Sequence, residues 1–259
     1  MTMKAIILAA GRGSRLNGMA SSRPKCLEQL GGISLIERQV RALRAQGIGE
    51  IIAVVGFGAE DVRHTCGPGI GYIENTHYDE TNSLFSLWLA RHFLSGGFVV
   101  LNADVLFHPQ ILEDLVTAQH EDALLVSYPD ESTPEFGDEE MKVRLRAGRV
   151  VDISKGINRR RADAENVGIA KFGPSGARLL VEKMDVLIRG GVHSDWAPRA
   201  FREFAGERPL YAVGTRGYPW IEIDFPEDYR RAVNEVLPRI LGDREVELSL
   251  ERSLERAIA

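Results

Sequence analysis

The start of the chain reads Lys4-Ala-Ile-Ile-Leu-Ala-Ala-Gly-Arg-Gly-Ser-Arg15, and after a short polar interval it continues with Arg23-Pro-Lys25. Residues 5–10 form an unbroken apolar run, which predicts a strand covered on both faces of a parallel sheet. Gly11 and Gly13 allow a sharp turn whose backbone N–H groups can approach an anion. Three cations accompany the turn: Arg12, Arg15 and Lys25. A strand that leads into such a turn predicts a site for the phosphates of a nucleotide.

Two other phosphate-binding motifs fit this stretch less well. The dinucleotide fingerprint needs a third small residue where the chain has Leu16, and it needs an acidic residue after the second strand. The predicted second strand, residues 51–55, is instead followed by Gly56-Phe57-Gly58. A P-loop lysine is followed by Ser or Thr, whereas Lys25 is followed by Cys26 and lies outside the turn. The spacing therefore disfavours both motifs.

Leu8-Ala-Ala-Gly-Arg-Gly-Ser-Arg15, together with Pro24-Lys25-Cys-Leu27, resembles the G-x-G-x-R…P-K signature of the nucleotidyltransferases that make nucleoside-diphosphate-activated compounds. These enzymes join a nucleoside triphosphate to a phosphorylated small molecule and release pyrophosphate. The resemblance extends through Asn102-Ala-Asp104 and Glu222-Ile-Asp224 and ends near residue 240. It implies that Lys25 contacts the reacting phosphates and that Arg15 holds the leaving pyrophosphate, where charge develops in the transition state.

The same resemblance implies a magnesium ion bound by Asp104 and Asp224. Both aspartates follow predicted strands, and open α/β sheets bind their ligands where strands end. Asp104 precedes the next helix, which starts at Pro109, by too many residues to cap it. Asp224 has a second interpretation, because Asp224-Phe-Pro226 also fits a helix N-cap with an early proline.

The segment Asn75-Thr-His-Tyr-Asp-Glu-Thr-Asn-Ser-Leu-Phe-Ser-Leu87 narrows the family. It resembles the phosphocholine cytidylyltransferase-like and phosphonate cytidylyltransferase-like branch, which implies CTP as the nucleotide and a phosphorylated or phosphonate small molecule as the acceptor. The residues expected to bind the nucleotide are Leu8, Ala10, Gly11, Arg12, Gly13, Ser14, Gly56, Thr81, Asn82 and Ser83. Thr81 or Asn82 can equally be a plain helix cap.

A choline-like or aminoalkyl acceptor carries a cation, and cations are bound by aromatic faces and carboxylates. The residues expected to bind the acceptor are Lys155, Glu165, Asn166, Asp195, Trp196, Trp220 and Glu222. Trp196 and Trp220 have a second interpretation as core residues between two halves of the molecule. Two other functions stay open, a sugar-1-phosphate nucleotidyltransferase and a nucleotide-sensing regulatory subunit without turnover.

The composition is that of an ordinary enzyme. The 259 residues are 44% hydrophobic and carry a net charge of −5, which disfavours nucleic acid as a partner. The two cysteines, Cys26 and Cys66, give no disulfide framework and no zinc-ligand spacing. No apolar run reaches membrane-spanning length. We therefore expect a cytoplasmic location, no membrane partner, and a small-molecule enzyme that can form a homodimer.

Alternating strand and helix patterns predict an α/β fold with a doubly wound, mostly parallel, Rossmann-like sheet and an acceptor-binding α+β half. Local patterns predict a helix over 34–46, a strand over 51–55, a helix over 82–94, a strand over 123–127 and a hairpin at Ala147-Gly148-Arg149. One domain is expected over 1–241, with residues 1–128 mainly for the nucleotide, 129–224 mainly for the acceptor and 225–241 as a closing helix. Residues 129–140 are expected to be a solvated acidic loop, and 242–259 an amphipathic tail.

Overall fold

The computed structural model describes residues 3–19, 23–129 and 136–242, and the predicted tail beyond residue 242 lies outside them. The strands are β1 Lys4–Ala9, β2 Gln29–Leu30, β3 Ile33–Ser34, β4 Ile51–Val55, β5 Gly71–Glu74, β6 Phe98–Asn102, β7 Val105–Phe107, β8 Ala123–Ser127, β9 Lys142–Arg146, β10 Arg149–Ser154, β11 Ala164–Phe172, β12 Tyr211–Gly214 and β13 Trp220–Glu222. The helices are α1 Leu35–Ala45, α2 Ala59–Cys66, α3 Ser83–Leu89, α4 Pro109–Thr117, α5 Pro174–Arg189, α6 Pro198–Ala205 and α7 Pro226–Arg231.

The first half of the main sheet is parallel, as the sequence predicts. Strands β5, β4, β1 and β6 are neighbours in that order, and Leu8 of β1 lies between Val54 and Asn102 of the adjacent strands. Strand β4 is buried throughout, and β1 and β6 are buried except near their ends, because these strands are covered on both faces. Their carboxyl ends lie at one edge, so the turn after β1 and the turn after β6 meet there.

The second half is mixed. The long strand β11 runs antiparallel to β6 and to β8, β12 runs parallel to β8, and β10 and β9 complete the order β6-β11-β8-β12-β10-β9. Strand β9 also pairs with β11, so β11, β8, β12, β10 and β9 form a closed ring of paired strands. The predicted α/β class is confirmed, with the parallel pairs concentrated in the first four strands and the α+β half beyond them.

Most local predictions match the elements. Helix α1 is preceded by Ser34, whose side chain and that of Glu37 form a reciprocal capping box, and Gly47, at φ +75°, follows its end. Strands β4 and β8 have the predicted bounds. The hairpin turn places Ala147 and Gly148 at φ +51° and +73°, the pair of positive values that a two-residue hairpin turn requires.

Two local predictions need correction. Helix α3 ends at Leu89, and a separate 3₁₀ turn, Arg91–Phe93, replaces the last part of the helix predicted over 82–94. Its last turn tightens because the N–H of Ala90 bonds to the carbonyl of Leu87, three residues earlier. The closing helix forms, but its path from α7 to residue 242 includes a π-helical turn, Ala232–Val236.

The closing helix packs against the turn that follows β1 and against β13. Its buried residues Ala232, Val236 and Leu237 join one apolar cluster with Leu16 and Ile221. This cluster holds the strand pair β7–β13 against the turn that follows β1. Among the described residues, no helix is both long and apolar enough to cross a bilayer.

Candidate active site

A cleft lies at the carboxyl edge of the parallel strands and contains two adjoining cavities of about 290 Å³ each. The first, the loop cavity, is lined by Gly13, Ser14 and Lys25 among others. The second, the cleft cavity, extends from Ala10 to Trp196. The residues that line both cavities are Leu8, Gly11, Arg15, Asn82, Asp104 and Asp224. The structure thus brings the glycine turn and both predicted metal ligands to one place.

Lys25 lies at the centre of this cleft. Its Nζ donates to Asp104 Oδ2 at 2.9 Å and to Asp224 Oδ1 at 2.5 Å, and its side chain is 10% exposed. Burial by itself would lower the pKa of Lys25, but the two carboxylates outweigh it and hold that pKa above its ordinary value. Lys25 is therefore a fixed cation. Gly13, at φ +67°, packs on its stem, where a Cβ would approach Lys25 Cβ to 2.8 Å.

The N-cap interpretation of Asp224 is wrong. Phe225 occupies the cap position of α7, and the Asp228 carboxylate accepts from the backbone N–H groups of Asp224 at 3.0 Å and Phe225 at 2.8 Å. Because Asp228 satisfies the start of the helix, the Asp224 carboxylate is turned to Lys25 and lies 3.8 Å from Arg15.

The two aspartates have the chemistry of a magnesium site. Asp104 Oδ1 is buried without a hydrogen-bond partner among the described residues, so an acceptor oxygen is left over beside Lys25. Mg²⁺ prefers such oxygen donors and commonly takes one or two carboxylates, with substrate phosphates and water completing its shell. No group of three or more His, Cys, Asp or Glu suited to a metal occurs in the described part of the chain. The two carboxylates therefore fit a magnesium ion whose other ligands are phosphate and water oxygens.

Another wall of the cleft cavity is built by the segment before α3. Asn75 is buried, and its amide donates to Thr81 Oγ1 at 3.0 Å and Ser86 Oγ at 3.1 Å. The Thr81 hydroxyl donates to the carbonyl of His77, and Asn82 caps α3 through the N–H of Ser83. The cap interpretation of Asn82 is therefore correct, although Thr81, Asn82 and Ser83 all line the cavity.

The acceptor side of the cleft cavity carries Lys155, Asn166, Trp196 and Glu222. The Lys155 ammonium lies 4.9 Å from the centre of the Trp196 ring, which is 40% exposed. Burial, and after it the charges of Asp104 and Asp224, raises the pKa of Glu222 to about 8.

Asn166 reaches the cavity from a bulge in β11, where pairing with β8 shifts between Asn166 and Ala170. Its Oδ1 accepts from the N–H of Gly168, which has φ +84°. A Cβ at Gly168 would lie 2.8 Å from Asn102 Nδ2, so a larger residue there would displace the Asn102 side chain from its place in the cavity wall.

Several expected residues lie outside both cavity walls. Trp220 pairs with Phe107 across β13 and β7 and packs on the core, so its core interpretation is correct. The Asp195 carboxylate accepts from the N–H of Trp196. Arg12 lies over the Phe57 ring, and Gly56 packs under Tyr78 and the carbonyl of Ala10. Burial, followed by the charge of Glu140, raises the pKa of Glu165 to about 7.

Not every residue that lines the cleft cavity was identified from the sequence. The missed residues are Asn75, Tyr78, Ser86, Asn102, Glu139, Met141 and Pro198. Asn75, Tyr78 and Ser86 lie inside the segment that carried the family resemblance, and Asn102 stands two residues before Asp104, so proximity in sequence could have found them. No sequence feature pointed to Glu139 or Met141, because the pattern of residues 129–140 predicts a solvated loop.

The family described as "MobA-like NTP transferase domain" matches residues 5–244. A bifunctional IPC transferase and DIPP synthase of Rubrobacter xylanophilus is 34% identical over 241 residues, which are 90% of this chain and 52% of that protein. A CMP-5'-(3-aminopropyl)phosphonate synthase of Streptomyces rubellomurinus is 37% identical over 253 residues, which are 89% of this chain and 38% of that protein. The chain thus spans about half the length of these relatives, or less.

Among solved structures, CTP:phosphocholine cytidylyltransferase from Streptococcus pneumoniae superposes with a TM-score of 0.74 at 25% identity. The match covers 89% of this chain and 97% of that one. That structure therefore corresponds to this chain over nearly its whole length.

Proposed function

The chain belongs to the family of MobA-like NTP transferase domains, and from this membership we propose that it is a cytidylyltransferase that joins CTP to a phosphorylated or phosphonate small molecule. The products are a CMP-linked compound and pyrophosphate. The observation that carries the proposal is the Lys25 ammonium clamped between Asp104 and Asp224 beside the glycine turn. The relatives whose names include CTP or CMP support cytidine as the nucleoside.

The reaction follows from this arrangement. A phosphate or phosphonate oxygen of the acceptor forms a bond to the α-phosphorus of CTP, and the bond from that phosphorus to the bridging oxygen of pyrophosphate breaks. The pyrophosphate leaves with the electron pair of the broken bond. Lys25 supplies positive charge at the reacting phosphates, and Arg15 supplies it for the leaving group.

Lys25 does not act as a base in this scheme, since its pKa is held above the ordinary value. A magnesium ion held by Asp104 and Asp224 would neutralise further phosphate charge. Two anions that repel each other are thereby brought together, and the transfer requires no protein nucleophile.

The acceptor that the cleft fits best carries a positive charge. The Trp196 face already lies against an ammonium, that of Lys155, so the ring accepts a cation at this point. No hydrogen bond or ion pair joins the Glu222 carboxyl to another described residue, so it is free to face a cationic group. Phosphocholine and 2-aminoethylphosphonate have the required combination of phosphorus oxyanion and cation.

Pyrophosphate release tests the proposal. The four nucleoside triphosphates are each combined with phosphocholine, 2-aminoethylphosphonate and glucose 1-phosphate, in the presence of Mg²⁺. We expect turnover with CTP and a cationic acceptor. Turnover with glucose 1-phosphate alone would overturn the acceptor class, and nucleotide binding without turnover on any acceptor would favour a regulatory subunit.

A further inference from the structure

One carboxylate reaches into the cleft from a segment that is neither strand nor helix. The strap, residues 136–141, lies just before β9, and its Glu139 lines the cleft cavity. Glu139 Oε2 accepts from Arg15 at 3.3 Å and from Lys155 at 3.4 Å. Arg15 follows β1 and Lys155 follows β10, so a single oxygen joins the two sides of the cleft.

The strap is fixed by a buried cation. Lys142 is 1% exposed, and its Nζ donates to the backbone carbonyls of Gly137 at 3.0 Å, Asp138 at 3.4 Å and Glu140 at 3.2 Å. Three carbonyls around one buried ammonium determine the path of the backbone on either side of Glu139. The backbone that carries Glu139 is therefore held in place, whereas its exposed side chain can move.

We propose that Glu139 is a positioning residue that occupies the place of a substrate phosphate between Arg15 and Lys155 and is displaced when substrates bind. The inference rests on the proposed function, in which Arg15 lies at the leaving pyrophosphate, and on the expectation that Lys155 binds the phosphate or phosphonate of the acceptor. Without an anion between them, the two cations would repel each other across the cleft. A carboxylate carries one negative charge, whereas a pyrophosphate or a phosphate dianion carries more, so substrates can replace it.

Glu139 is well suited to be displaced. Its side chain is 62% exposed, and ion pairs at such exposure contribute little to stability. The carboxylate thus offsets the repulsion between the two cations when no substrate is bound, and it competes weakly with phosphate. Removing it should strengthen phosphate binding and leave the chemical step unchanged.

Binding of inorganic pyrophosphate tests this directly, by calorimetry at constant ionic strength. Glu139→Gln keeps the size of the side chain and removes its charge. We expect the variant to bind pyrophosphate about three- to tenfold more tightly than the wild type, the range that two exposed ion pairs allow. In pyrophosphate-release assays, KM for CTP and for the acceptor should fall while kcat stays the same.

Asp138→Asn is the matched control. It removes the same charge from the same strap, but Asp138 contacts Arg159, which does not line the cleft. Its pyrophosphate affinity should equal that of the wild type. Equal tightening in both variants, or unchanged or weaker binding in Glu139→Gln, overturns the inference. The two failures can be told apart. If the enzyme turns over but Glu139→Gln binds pyrophosphate as the wild type does, only the inference about Glu139 fails. If Glu139→Gln binds pyrophosphate more tightly but the protein shows no turnover, only the proposed function fails.

Discussion

Lys25 is a buried charge whose partners are far apart in sequence. Asp104 is 79 residues away and Asp224 is 199 residues away, and both reach the same ammonium. A buried cation is tolerated only when it is paired, and removing one partner leaves an uncompensated charge. The Pro-Lys motif and the resemblance predicted all three residues as functional. That they touch one another depends on strand order, which no local pattern carries.

Lys25→Met tests the role of the ammonium. We expect kcat for pyrophosphate release to fall at least about 100-fold, roughly 3 kcal/mol of barrier, because the reacting phosphates lose a fixed charge. Lys171→Met is the matched control, since Lys171 is also buried but donates to the carbonyls of Val116 and Ala118 at 3.1 and 2.7 Å. The control should lose stability without losing kcat. An unchanged kcat in Lys25→Met would remove this lysine from the site.

Asp104→Asn tests the proposed metal site. The variant keeps the shape of the side chain but loses the charge, so turnover should fall at least about 100-fold and require more Mg²⁺. Binding of Mn²⁺, followed by electron paramagnetic resonance, should weaken in parallel. Asp114→Asn, on α4 and paired with Arg216, serves as the control. If the rate of Asp104→Asn stayed within about tenfold of the wild type, about 1.4 kcal/mol, Asp104 would not be a metal ligand.

At the level of elements, the segment before α3 shows how a loop is made rigid. Asn75 uses both amide hydrogens inside the protein, and its Oδ1 accepts from the N–H of His77 at 3.0 Å. A buried amide with every group satisfied specifies one loop conformation. The segment therefore presents its polar atoms to the cleft in fixed positions.

Asn75→Ala should loosen this segment. Thr81 and Ser86 would lose their partner, so we expect the free energy of unfolding to fall by about 1–3 kcal/mol. KM for CTP should rise while kcat changes little, because Asn75 lines the cleft cavity and not the loop cavity that contains Lys25. Urea denaturation and initial rates measure both. Asn158→Ala, which removes a cap from an exposed 3₁₀ turn, should leave KM unaltered.

Elements with strong local signals were predictable, and those defined by long-range pairing were not. Helix α1 has a capping box at one end and Gly47 after the other, and β4 is a short apolar run after a turn. The bulge in β11 depends on β8 and on Asn102, far away in the chain. The position of Glu139 depends on the buried Lys142. Neither feature leaves a periodic pattern that a sequence can show.

For the molecule as a whole, the long-range strand pairings bury two acidic groups beside the cleft, one on the closed ladder of β11, β8, β12, β10 and β9 and one on the β7–β13 pair. Glu165 lies on β11, and Glu222 ends β13. Burial raises the pKa of Glu165 to about 7, against the opposing charge of Lys142, and burial raises that of Glu222 to about 8. Neither carboxyl has a hydrogen bond or ion pair to another described residue. The fold thus bears a cost at neutral pH that an acceptor cation could offset.

Glu165→Gln measures that cost. The ordinary pKa of about 4.5 applies in the unfolded chain, so between pH 4.5 and 7 the folded protein binds more protons than the unfolded one. The free energy of unfolding must then decrease as pH rises through this window. A neutral glutamine removes this part of the decrease, and above pH 7 the variant should be more stable than the wild type by roughly 1–2 kcal/mol.

Urea unfolding at pH 5, 6, 7 and 8 gives the comparison. The two proteins should differ least at pH 5 and most at pH 8, with a shallower decline in the variant. Some decline should persist, because Glu222 still titrates in the same direction. Glu113→Gln, on the exposed face of α4, should follow the wild-type curve at every pH. Parallel curves for Glu165→Gln and the wild type would mean that Glu165 is ionised in the folded protein without cost, because the charge of Lys142, opposite it on β9, outweighs its burial.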